Sequence, residues 1–263
     1  MFAYYNVIDY KSVFKKQLQK YNVFIAEPKN LIDYSDYCYS EKSINLVEKY
    51  SLSKYIMDNE IETCKYIARW VYEKLYYKTV AEYYGDYNAL SVVGFCEENK
   101  VSVNCAMHAI VLMESLLGVG ISSKCVQCLP WDPIDDDSHF LVLAYIKELD
   151  KEIAIDPSYS LSFTVGNTFA NILELRNSIV SDMHYEIHRF VRFKTQLFDE
   201  KWYRAYMTKN LFRFSCPQRP SFTYGNNEIV KMFYLEPVGY GIEGIINKGN
   251  IEEIHSCKNT IVR

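Results

Sequence analysis

One segment constrains the fold more than any other: an apolar run in mid-chain, CAMHAIVLMESLL, spanning Cys105 to Leu117. Asn104 precedes it, and Gly118 and Gly120 follow it. Asn is a favoured helix N-cap and Gly a favoured helix stop, so the run reads as a buried helix. Other elements must cover such a helix, and the next fifty residues supply them. Ser122 to Leu129 reads as a strand. A loop of Pro130, Trp131, Asp132, Pro133 and the acidic Asp135, Asp136 and Asp137 follows. His139 to Lys147 is a second strand, apolar on both faces and hence buried. After a polar turn, Glu152 to Asp156 forms a third strand, stopped by Pro157. Helix followed by three strands gives an α+β core.

The first hundred residues read as mostly helical. Ile61, Cys64, Ile67, Ala68 and Val71 fall at helical spacing between Glu60 and Tyr77, with Asp58 as the expected N-cap. Asp86 is expected to cap a second helix reaching about Glu98, with Ala89, Leu90, Val93 and Cys96 on one face. Beyond Ser160 the pattern thins to a helix over Asp199–Phe212, a strand over Glu228–Leu235 and a turn at Pro237–Tyr240. No repeat or Gly/Ser linker divides the 263 residues. The expectation is one domain over 1–263: a helical part over 1–59, a core over 60–160 and an extension over 161–263.

A net charge of −4 gives no electrostatic reason for nucleic-acid binding. No apolar stretch approaches the ~20 residues that span a bilayer, so no membrane partner is expected. The opening residues, Met1-Phe2-Ala3-Tyr4-Tyr5-Asn6, lack a basic region followed by an apolar one, so the expectation is a cytoplasmic protein. The 24 tyrosines are spread along the whole chain and read as packing at the core boundary. Eight cysteines stand at irregular spacings in a chain of this size, which reads as reduced thiols. The question is which of them is a nucleophile.

Thiol catalysis needs a thiolate near an imidazole that a third group holds in place. Cys105 begins the buried helix, where the macrodipole and the free backbone N–H groups favour negative charge and could help bind an oxyanion. His139 begins a buried strand. Asp156 ends the next one, an odd place for a carboxylate unless it faces a partner. If the hairpin turns near Leu149-Asp150, Asp156 lies opposite Leu143, on the sheet face that carries His139. That register leaves the pair four residues apart along the strand, about 13 Å, so a bulge or a shifted turn must close the gap.

Four segments in order carry a resemblance: Asn104-Cys105-Ala106-Met107-His108-Ala109, Leu117-Gly118-Val119-Gly120-Ile121, Ser138-His139-Phe140-Leu141-Val142 and Ile155-Asp156-Pro157-Ser158. Together they resemble the transglutaminase-like superfamily over roughly residues 60–160. The resemblance implies a papain-like fold and a Cys-His-Asp triad, with Cys105 as nucleophile, His139 as general base and acid, and Asp156 orienting His139. Segments Lys209–Phe214 and Leu235–Tyr240 resemble parts of uncharacterised bacterial members. Ser158 stands where Thr is usual, and no Trp shortly precedes Cys105 as the oxyanion donor of animal transglutaminases.

The implied activity is acyl transfer or hydrolysis of an amide or thioester through a Cys105 thioester, on a peptide, protein or small substrate, with no metal or organic cofactor. The alternative is a catalytically inactive protein- or peptide-binding module on the same fold. Two further readings are weaker. Cys105, His108, Cys125 and Cys128 could be zinc ligands, but Cys125 and Cys128 alternate across a strand with no turn between them. An arylamine N-acetyltransferase would want Arg-Gly-Gly before its nucleophile, where this chain has Val101-Ser102-Val103-Asn104. His184 and His188 lack the Glu register of a metalloprotease helix and read as solvated. The acidic run Asp135–Asp137 reads as a solvated turn or as an attractor of cationic substrate.

Overall fold

The computed structural model describes residues 7–24, 41–79, 82–191, 198–217 and 232–240. It is a mixed α+β fold built on an antiparallel sheet. The helices are α1 (Lys11–Lys20), α2 (Glu41–Tyr50), α3 (Glu60–Lys74), α4 (Ala89–Asn99), α5 (Cys105–Gly118), α6 (Ile172–Val180) and α7 (Glu200–Asn210). Among the described residues no helix is long and apolar enough to cross a membrane.

Helix α5 is the hub. Every side chain from Ala106 to Leu117 is buried, including His108, Glu114 and Ser115. It packs on the sheet and is surrounded by α2, α3 and α4. Asn104 caps it, accepting from Met107 N at 3.3 Å. At the other end Gly120 takes φ 92, while Gly120 N–H bonds Leu117 O and Ile121 N–H bonds Leu116 O. This is a Schellman ending, and Gly120 is the residue that permits it. Gly118 stays inside the helix for a different reason. A Cβ there would meet Ser43 O and Val47 Cγ2, each at 2.6 Å, so α2 can approach only a glycine.

The caps of the two preceding helices differ from expectation by one or two residues. Asn59, not Asp58, caps α3, accepting from Ile61 N at 2.8 Å. Asn88, not Asp86, caps α4, accepting from Ser91 N at 2.9 Å. Helix α3 ends at Lys74 because Tyr76–Tyr77 becomes a short strand, β1, parallel to β2 (Ser102–Val103). That pairing anchors the segment leading into Cys105.

The main sheet holds β3 (Ser123–Leu129), β4 (His139–Ile146), β5 (Lys151–Asp156), β6 (Leu161–Val165), β7 (Thr168–Phe169), β8 (Tyr185–Arg189), β9 (Arg213–Pro217) and β10 (Met232–Leu235). Its order is β10-β9-β3-β4-β5-β6-β7, with β8 paired to β6. Strands β3, β4 and β5 and helix α7 lie where the sequence put them. The expected strand over 228–235 is described from Met232 onward, and its first residues lie outside the described set. Strand β9 inserts beside β3, pairing Gln127 with Ser215, and brings the C-terminal region against the core. The two C-terminal segments singled out in the sequence meet here, where Phe214 pairs with Leu235.

Candidate active site

Cys105, His139 and Asp156 are brought together by α5, β4 and β5. The decisive local feature is the turn between the two strands. It is a 3-10 turn over Lys147–Leu149, closed by Asp150 in the left-handed region at φ 49. It pairs Leu143 with Ala154 instead of Asp156, and Val142 with Ile155. The register is therefore shifted by two residues, which keeps the parity and halves the gap between Asp156 and His139 along the sheet. The side chains span the remainder: His139 Nε2 lies 2.7 Å from Asp156 Oδ2.

Asp156 is fully buried and receives donors on both oxygens. Oδ2 accepts from His139 and from the Tyr203 hydroxyl at 2.7 Å, and Oδ1 from Ser158 N–H at 2.9 Å. His139 is also fully buried. Burial works against its charge, but the Asp156 carboxylate outweighs burial by charge and hydrogen bond, and Cys105 adds to it. The imidazole is pushed up to about 10. Its other nitrogen, Nδ1, has no hydrogen bond of good geometry, although the Cys105 sulfur is near enough to help hold the proton. Cys105 Sγ stands 4.0 Å from Ser138 O.

Among the six described cysteines Cys105 alone is not buried. Burial pushes the thiols of Cys64, Cys96, Cys125 and Cys128 up, which disfavours their thiolates. Cys38 and Cys257 lie outside the described residues. Cys125 faces the Met113 sulfur at 3.6 Å, within the core. His108 is a neutral core histidine, pushed down to about 4 by burial, with its ring against the carbonyls of Pro157 and Tyr76 at loose geometry. Among the described residues no group of three His, Cys, Asp or Glu side chains is arranged to hold a metal. His188 lies on β8, bonded to Thr164 Oγ1 at 2.8 Å, and His184 precedes that strand, exposed.

Helix α7 supplies residues that sequence reasoning did not assign to the site. Tyr203 reaches Asp156. Tyr206 lies edge-on to the His139 ring at 5.5 Å and donates to Ser138 O at 3.2 Å and Asp137 Oδ1 at 3.1 Å. Lys209 binds Asp135 and Asp137 at 2.8 Å each, so two of the three acidic side chains before His139 serve an internal ion pair. Residues 203, 206 and 209 recur every three positions, one helix face, and that periodicity was the available signal. Gln127 braces the same segment by donating to Ser138 Oγ at 2.9 Å while accepting from Ser215 Oγ at 2.9 Å. Comparison of the chain with protein-family models, with curated proteins and with solved structures returned no match.

Proposed function

We propose that this chain is a thiol enzyme of the transglutaminase-like kind, with a papain-like core, acting by acyl transfer or hydrolysis through Cys105. The observation that carries the reading is the buried His139–Asp156 pair at 2.7 Å, which leaves Nδ1 of the ring for the one described cysteine that is not buried.

In this mechanism the Cys105 thiolate attacks the carbonyl carbon of an amide or thioester, and the carbonyl oxygen takes the electron pair. The backbone N–H groups of Cys105 and Ala106, which the helix leaves without internal partners while Asn104 takes that of Met107, are the donors for that oxyanion. As the tetrahedral species collapses, the bond to the leaving amine or thiol breaks and His139 protonates the departing atom. A thioester remains on Cys105. Water or an amine then attacks it, His139 takes the incoming proton, and the Cys105 thiolate returns with His139 protonated. Asp156 holds the ring in one orientation and stabilises its charge throughout.

The test is to incubate the protein with an activated thioester donor, quench in acid and weigh the intact chain. An acyl adduct on Cys105 that disappears in Cys105→Ala and is strongly reduced in His139→Ala supports the reading. Absence of any adduct, or equal adduct in His139→Ala, sinks it in favour of a binding module.

A further inference from the structure

Helix α7 lies far along the chain from the three candidate catalytic residues, yet one of its side chains enters their hydrogen-bond network. Tyr203 is fully buried. Its hydroxyl donates to Asp156 Oδ2 at 2.7 Å, the oxygen that also holds His139 Nε2 at 2.7 Å. Its ring is fixed on several sides, stacked on Phe163 and packed against Phe198 and Tyr159 at centroid distances of 5.3 Å for the latter two. A phenol placed so firmly on a carboxylate oxygen is a permanent competitor for that oxygen's electron density.

We propose that Tyr203 is a positioning residue that sets how strongly Asp156 holds the proton of His139. This inference rests on the acyl-transfer reading above. A hydrogen bond to a carboxylate favours its charged form and lowers its basicity, so a second donor on Oδ2 weakens its hold on the imidazolium. Tyr203 thus keeps Asp156 from binding the imidazolium so tightly that the ring cannot give its proton to a leaving group. Burial and the nearby carboxylate push the phenol's own ionisation well above its usual range, so it remains a donor. Other titratable groups face this cluster: Cys105 and His108 from α5, Cys128 from β3, Tyr159 after β5, Tyr185 from β8 and Tyr206 from α7.

The test is an NMR titration of the His139 ring in the full chain, read beside the acyl-adduct assay. Tyr203→Phe keeps the ring and removes the donor. The proton affinity of His139 is expected to rise on the order of threefold or more, and acylation of Cys105 near neutral pH to fall about tenfold. Site-specific replacement of Tyr203 by 3-fluorotyrosine strengthens the donor and is expected to move the titration the opposite way, which covers the case in which Tyr203→Phe does not fold. Phe198→Leu loosens the packing around Tyr203 without touching the hydrogen bond, and is expected to leave the titration in place. An acyl adduct together with an unmoved His139 titration in Tyr203→Phe and the fluorinated chain overturns the proposal. A moved titration with no adduct in the unaltered chain sinks the acyl-transfer reading and leaves the Tyr203–Asp156–His139 linkage standing.

Discussion

Lys209 grips Asp137 twice: its ammonium lies 2.8 Å from the carboxylate and 3.3 Å from the backbone carbonyl of the same residue. Because Asp137 is two residues before His139, this contact ties the end of α7 to the start of β4. Asp135 shares the same ammonium at 2.8 Å. The acidic run is thereby a strut that fixes the approach to His139, and Asp136 is its one exposed member.

Lys209→Met is expected to weaken that strut. Lys209 is 7% exposed and its partners retain some contact with water, so the loss is set between the surface and buried limits, about 1–3 kcal/mol. Urea unfolding measures it, and Asp136→Asn is the control, expected to change stability by less than about 0.5 kcal/mol. Equal effects from the two variants would show that the loop is held by its backbone instead.

Thiol labelling checks the position of Cys105. In the native protein iodoacetamide is expected to label Cys105 about a hundredfold faster than Cys64, Cys125 and Cys128, which burial shields and which label only on local opening. If His139 acts on Cys105 as proposed, His139→Ala is expected to slow labelling of Cys105 about tenfold near neutral pH. Peptide mapping by mass spectrometry reads both. A Cys105 rate that ignores His139 would mean that the two side chains do not interact in solution.

The seat of α5 is tested by Gly118→Ala. The new methyl meets backbone at Ser43 and the side chain of Val47 at 2.6 Å, and backbone cannot turn aside as a flexible side chain would. The variant is expected to lose about 1–3 kcal/mol. Gly94→Ala, where the nearest neighbour is Lys49 Nζ at 3.8 Å, is expected to be neutral or to gain stability, because Gly is the poorer helix former. Similar losses in both would mean that α2 does not pack so closely on α5.

How much of this was legible in the sequence depended on how local the signal was. Helix α5 was plain because its apolar run, its Asn cap and the glycine stop all lie within about seventeen residues. The strands β3, β4 and β5 were legible for the same reason. The hairpin register was not, because it turns on Asp150 adopting φ 49, which no apolar pattern announces. Strands β6 and β9 were missed since their buried positions include polar residues, Ser162, Thr164, Arg213 and Ser215, and β8 because Tyr185 alone of its five residues is buried. Tyr203 escaped notice because its partner Asp156 is 47 positions away and aromatic residues crowd the whole chain.

The pH dependence of stability carries the sharpest sign. An unfolded histidine gives up its proton near ~6.5. In the fold His139 holds it to about 10: burial opposes the charge, and Asp156, with Cys105, outweighs burial. Between those values the folded chain binds a proton that the unfolded chain does not. The contribution of His139 is therefore full below about pH 6.5 and is lost as pH rises towards 10. Asp156→Asn removes the carboxylate and leaves burial in charge, so His139 then prefers to be neutral. That variant is expected to lose stability as pH falls below ~6.5, the opposite trend. Tyrosines and cysteines elsewhere that burial pushes up weaken both proteins alike at alkaline pH, so the difference between the two urea-midpoint curves isolates the pair. Curves that run parallel from pH 5.5 to 10 would mean that Asp156 does not keep His139 charged.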